Sequence, residues 1–212
     1  MKYLIALLFS LFSLTATAHP HSFVDMQNRV FIENGKLHAF EMRWTLDEIT
    51  SAELIYEINS SKNKALAQQK ITEELNQSAV QNHYFSELYD EKDTPIKFKA
   101  KPFNPSIEIQ DNRLIYRFEL TLATPQDVTG RTFRLFTFEP SYYLYMGYEK
   151  PSDVTHRDPQ NLCKVSLVEP KVNDSLRLYA SKLDKDDTPD MPSDKSLSLG
   201  AQFAQKVTIQ CQ

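Results

Sequence analysis

Glycine is scarce, with four in 212 residues. None of them falls in a G-x-G-x-x-G, a Walker pattern or a G-x-S-x-G, so glycine-rich phosphate cradles and the nucleophile elbow of hydrolases are excluded. H-E-x-x-H is also missing, which removes the common zinc-protease pattern. A basic surplus is absent too: 24 Lys and Arg stand against 28 Asp and Glu, a formal net charge of −4, which does not suit a nucleic-acid partner. Cysteine is limited to Cys163 and Cys211, with no C-x-x-C. No apolar run reaches the ~20 residues a membrane helix needs. Nothing in these absences leaves room for a familiar catalytic motif, and the chain reads as a non-enzyme.

The beginning of the chain reads as an export signal. Lys2 supplies the positive start, Tyr3 to Leu14 is almost unbroken apolar sequence, and Ala16-Thr17-Ala18 offers a small-residue cleavage site. Residues 1–18 are therefore expected to be a signal peptide, and 19–212 one exported, periplasmic domain without a membrane span. Removing Lys2 with the leader takes the net charge from −4 to −5. In an oxidising compartment, an even pair of cysteines is most simply a Cys163–Cys211 disulfide, with thiolate metal ligation as the alternative.

Cleavage after Ala18 would leave His19-Pro20-His21-Ser22-Phe23-Val24-Asp25 at the new terminus. Two imidazoles, a carboxylate and an α-amine then lie within seven residues. Imidazole is a ligand for zinc, copper and nickel, and a carboxylate can complete such a site. In an extended chain His19, His21, Phe23 and Asp25 share one face. The alternative is a solvated, loose terminus.

Downstream, Val24 to Glu33 reads as a strand and Asn34-Gly35 as a hairpin turn. Alternation then places His38, Phe40, Met42, Trp44 and Leu46 on one apolar face. Thr50-Ser51 offers a cap for a short helix or turn. Ser60 to Tyr84 reads as the main helix, with Ala67, Ile71, Leu75 and Ala79 on its apolar row and His83 extending it. Leu114, Tyr116, Phe118, Leu120 and Leu122 form the inward face of a second hairpin arm. Phe133 to Phe138, Cys163 to Val168, Leu176 to Leu183 and Val207 to Cys211 read as strands, and Ser196 to Gln205 as a short helix. The acidic stretch 182–195 reads as an exposed loop. The fold expected is α+β: mainly antiparallel strands in sandwich-like sheets, one longer helix packed on a sheet, and one disulfide.

Several stretches resemble a family of periplasmic proteins of long-unknown function, typically encoded beside permeases of the nickel/cobalt-efflux type. His19 to Asp25 resembles the family's mature N-terminal motif. Trp44-Thr45-Leu46-Asp47-Glu48 resembles its Trp-x-Phe-Asp-Glu, and Phe138-Glu139-Pro140-Ser141-Tyr142-Tyr143 its Phe-Asp-Pro-x-Tyr-Tyr. Leu199-Gly200-Ala201 to Cys211 is similar to its C-terminal stretch. Phe23 stands where the family often has Trp, and Glu139 where Asp is usual; no His-rich loop is present. The resemblance, which includes a zinc-acquisition member, implies a divalent-metal-binding component of an uptake or transfer system, working with an inner-membrane permease. Zinc is the first metal expected, copper or nickel the alternatives. His19 and His21 are the leading ligands, with Asp25, Asp47 and Glu139 as ligands or as partners that orient an imidazole. Three rivals remain: a copper protein with a terminal histidine brace, a metal-free protein that docks on a permease through Tyr142 to Tyr148, and a hydrolytic metalloenzyme with an open coordination position, for which no H-E-x-x-H or nucleophile motif speaks.

Overall fold

The computed structural model describes residues 20–183, 187, 189, 192 and 194–212. The expected signal peptide, His19 and much of the acidic stretch 182–195 lie outside the described residues.

The long alternating runs make the largest sheet. Strands β1 (Ser22–Glu33) and β2 (Lys36–Leu46) form a hairpin through Asn34-Gly35. Both turn residues have positive φ, at 52° and 70°, the left-handed geometry that the twist of a two-residue hairpin requires. Next to β2 lies β6 (Arg113–Asp127), and outside it β5 (Phe103–Gln110). On the far side, β8 (Leu144–Gly147) and β9 (Val154–Arg157) both run parallel to β1. The second sheet has the order β10 (Cys163–Val168), β11 (Lys206–Cys211), β7 (Thr132–Thr137), β3 (Ser86–Tyr89) and β4 (Pro95–Ile96). All other pairings are antiparallel, and Cys163 and Cys211 face each other in register and are bonded. The α+β class, the mainly antiparallel sheets and the disulfide are therefore as the sequence implies.

The core is the set of inward positions. Phe40, Met42, Trp44 and Leu46 are buried, as are Leu114, Tyr116, Phe118, Leu120 and Leu122, against Leu88, Phe133, Leu135, Val207 and Ile209 of the second sheet. Among the described residues, no helix is long and apolar enough to cross a membrane.

Three local expectations are corrected. The short helix or turn expected at Thr50-Ser51 is a full helix, α1 (Glu48–Ser60), and the main helix expected over 60–84 is α2 (Lys64–Gln81), which stops short of Tyr84. Asp47 caps the first and Asn63 the second, each carboxyl or amide oxygen accepting an orphan amide N–H. Ala67, Ile71 and Ala79 still make the buried row. Leu176 to Leu183 is not a strand. Asn173 accepts the Leu176 amide N–H at 2.8 Å and starts a short helix, α3 (Asp174–Ala180). His38 leaves the apolar face because the β2–β6 register shifts between Leu37 and Ala39. That irregularity buries Leu37 and Ala39 and leaves the His38 ring half-buried against the Glu33 carbonyl. The expected helix over 196–205 is realised as α4 (Leu199–Phe203), preceded by a 3-10 turn.

Candidate functional site

The segment His21 to Asp25 enters β1 at one end of the larger sheet. Val24 points into the core, while His21, Phe23 and Asp25 lie on the exposed face. The segment is pinned from two sides. On one side, the amides of His21 and Ser22 donate to the Tyr143 carbonyl at 2.9 and 3.3 Å. On the other, Ser22 Oγ donates to Asp47 Oδ2 at 2.6 Å, and the Phe23 amide to the same oxygen at 3.3 Å. The Asp47 amide returns a bond to the Phe23 carbonyl at 3.0 Å.

Asp47 thus serves two elements with one carboxylate. Oδ1 accepts the Thr50 amide at 2.8 Å as the α1 cap, and Oδ2 also accepts the Thr50 hydroxyl at 3.0 Å. Partial burial pushes this carboxyl up. The hydrogen bonds from Ser22, Thr50 and Phe23 outweigh that and hold it below the usual aspartate value.

Glu139 folds its own turn. Its carboxylate accepts the Ser141 amide at 2.9 Å, the Ser141 hydroxyl at 2.6 Å and the Tyr143 amide at 3.0 Å. The residue whose carbonyl holds His21 is therefore itself held by Glu139. Tyr142 takes φ 64° in this turn, and its ring stacks on Phe203 at 4.1 Å. Burial pushes its hydroxyl up to about 12. Gly200 fits against the same turn: its amide donates to the Pro140 carbonyl at 2.9 Å, and a Cβ there would lie 1.9 Å from the Glu139 carbonyl oxygen.

Asp25 is tied down by Arg113. The guanidinium bridges Asp25 Oδ2 at 3.0 Å, while its Nε donates to the Leu46 carbonyl beside Asp47. Around the segment are aromatic rings. His21 and Tyr143 have ring centroids 5.2 Å apart, and Phe23 meets Tyr145 edge-on at 6.3 Å. Phe23 and Tyr143 remain 45% and 47% exposed. Tyr148, by contrast, is a core residue whose hydroxyl accepts from Asn28 at 2.7 Å.

The fold therefore gathers His21, Asp25, Asp47 and Glu139 at one end of one sheet. Among the described residues, no group of three or more His, Cys, Asp or Glu side chains is placed to hold a metal ion. His19 lies outside the described residues. Sequence reasoning did not single out Ser22, Arg113 or Gly200. Ser22 had its signal in a hydroxyl next to His21, and Gly200 in being one of only four glycines. Arg113 gave none.

The four stretches that meet here are also those that carry the resemblance described above. The chain belongs to the family described as protein of unknown function (DUF1007), whose model matches residues 4–211. It is also similar to an uncharacterized protein from Haemophilus influenzae, with 40% identity over 208 residues and 98% of each chain covered.

Proposed function

With membership of that family as the premise, we propose that the protein is an exported, periplasmic binding component for a divalent metal, zinc first. It holds the ion as cargo for an inner-membrane permease of the nickel/cobalt-transporter type and carries out no reaction on it. One observation carries the reading: His21 to Asp25 is held in place at the end of the sheet. The Tyr143 carbonyl holds it on one side and the Asp47 carboxylate on the other. Fixing a short terminal segment costs conformational entropy, and presenting ligands in a set geometry is a use for that order.

In this reading His21 and His19 supply the ring nitrogens, and the α-amine of a chain beginning at His19 joins them. Asp47 and Glu139 act at one remove. Their oxygens are committed to Ser22, Thr50, Ser141 and Tyr143, so they position the segment and do not ligate. Asp25 gives Oδ2 to Arg113, so it joins through its other oxygen or by exchanging that ion pair. Zinc calorimetry on protein beginning at His19 tests this. Binding should be lost in His21→Ala, weakened by residues added before His19, and weakened by acid, since protons compete with the metal for imidazole. Unchanged affinity in all variants sinks the reading. Copper is the alternative cargo, and competition between Cu(II) and Zn(II) decides between them. Imidazole suits either ion and raw affinity favours copper.

The exposed rings of Phe23 and Tyr143 support a second reading, metal-free docking on the permease. It is favoured if protein purified from its own compartment carries no stoichiometric metal.

A further inference from the structure

A cavity lies where the two sheets separate. Strands β3 and β4 pair only at Leu88–Ile96 and Tyr89–Pro95. Beyond that the chain crosses to the other sheet, where Lys97 and Lys99 bond to Ala123 and Thr121. The strands splay, and a cavity of about 640 Å³ opens between them. Its apolar lining includes Val80, Phe85, Leu88, Ile96, Phe98 and Phe138. This volume lies in the range of small-molecule sites, which are mostly apolar with a few polar groups at fixed places.

The wall of the cavity is unusual backbone. His83, Tyr84 and Phe85 have φ of 51°, 59° and 49°, three successive left-handed residues of which none is glycine. Side chains rarely adopt this conformation even singly. Here it is held by Tyr84, which is buried and donates its hydroxyl to the Lys99 carbonyl at 3.1 Å, and by the Phe138 amide on the Phe85 carbonyl at 2.8 Å. Strain retained by surrounding contacts points to a function for the shape it produces.

The charged lining is net positive, Lys97 and Lys99 against Glu87. Lys97 and Lys99 are exposed, and neither makes an ion pair among the described residues. The acid on the same lining, Glu87, already accepts the Tyr89 hydroxyl at 2.8 Å. We propose that this cavity binds an amphipathic carboxylate, its aliphatic chain between Leu88, Ile96 and Phe98 and its head group at Lys97 and Lys99. No residue of the histidine segment lines the cavity, though Phe138 and Pro140 flank Glu139, and its test reads ligand binding in the absence of metal.

The chain carries its own reporter. Trp44, the single tryptophan, meets the Phe85 ring at 6.1 Å. Purified protein is titrated with decanoate below its micellar concentration, with decanol and decyltrimethylammonium as comparators, following Trp44 emission and heat. One saturable site is expected, filled by decanoate at least tenfold more tightly than by the cationic amphiphile. The double variant Lys97→Glu, Lys99→Glu should lose at least tenfold for decanoate and leave decanol unchanged. Ala100→Phe, at an exposed lining position, should block both while keeping the melting temperature. Non-saturating binding, equal affinity for the cationic amphiphile, or indifference to lysine reversal would each overturn the proposal.

Discussion

At the scale of the residue, Asp47 does the most with the fewest atoms. Its resemblance to the family's Trp-x-Phe-Asp-Glu segment makes it a candidate ligand, yet the carboxylate is spent on a helix cap and on Ser22. Asp47→Ala should destabilise by about 1–2 kcal/mol, the usual range for a lost cap, read as a lower melting temperature. The acid dependence has a definite sign. A carboxyl held below its ordinary value contributes stability that is fully present above the unfolded value of 3.8 and is lost as pH falls through the folded value. Asp47→Asn should therefore flatten the stability profile in that acid window and leave its shape near neutrality unchanged. Trp44 is the contrasting case, a residue whose role follows from alternation alone. It is 5% exposed and packs edge-on against Phe118 at 4.8 Å. Trp44→Ala should cost about 3–5 kcal/mol. Trp44→Phe should cost much less, because the buried indole N–H finds no acceptor among the described residues. Equal losses in the two variants would show that this N–H is satisfied after all.

At the scale of the element, the period-two pattern made β6 and the part of β2 after Ala39 legible, down to which face is buried. It failed wherever the decisive contact was short and polar or far away in sequence. The start of α2 rests on Asn63 and the start of α3 on Asn173, each a single side-chain oxygen. A run such as Leu176 to Leu183 carries too few turns to separate helix from strand by periodicity. The parallel pairing of β1 with β8 joins Ser22 to Leu144, and no local pattern encodes it. For the same reason, the proximity of His21 to the Glu139 turn could be reached only through resemblance. Gly200 shows how tightly that turn is seated. Gly200→Ala places a methyl against the Glu139 carbonyl backbone, which cannot rotate away as a side chain would. A loss of about 1–3 kcal/mol is expected, with chemical-shift changes centred on Ser141 to Tyr143 in NMR spectra. The Cys163–Cys211 bridge spans a sequence separation of 48, and chain-entropy reasoning assigns it about 4 kcal/mol. Denaturant unfolding with and without reductant measures that difference.

At the scale of the whole molecule, four stretches far apart in the sequence behave as one frame around His21. Binding to the folded state stabilises it by mass action, about 2.7 kcal/mol at a hundredfold excess over the dissociation constant. Zinc should therefore raise the melting temperature of the wild-type protein. His21 is exposed, so His21→Ala should melt close to wild type without metal and gain nothing when zinc is added. Asp47→Asn and Glu139→Gln should each reduce the zinc-dependent rise while retaining the ligands. Because both carboxylates hold the same segment, one through Ser22 and the other through Tyr143, their effects should not add. A coupling of about 0.5–3 kcal/mol is the range for groups in one hydrogen-bonded network, whereas independent sites add closely. Strict additivity, with the zinc-dependent rise intact in both single variants, would reduce the two carboxylates to local caps. An equal rise in His21→Ala and wild type would move the ion away from this end of the sheet and leave the frame a purely structural device.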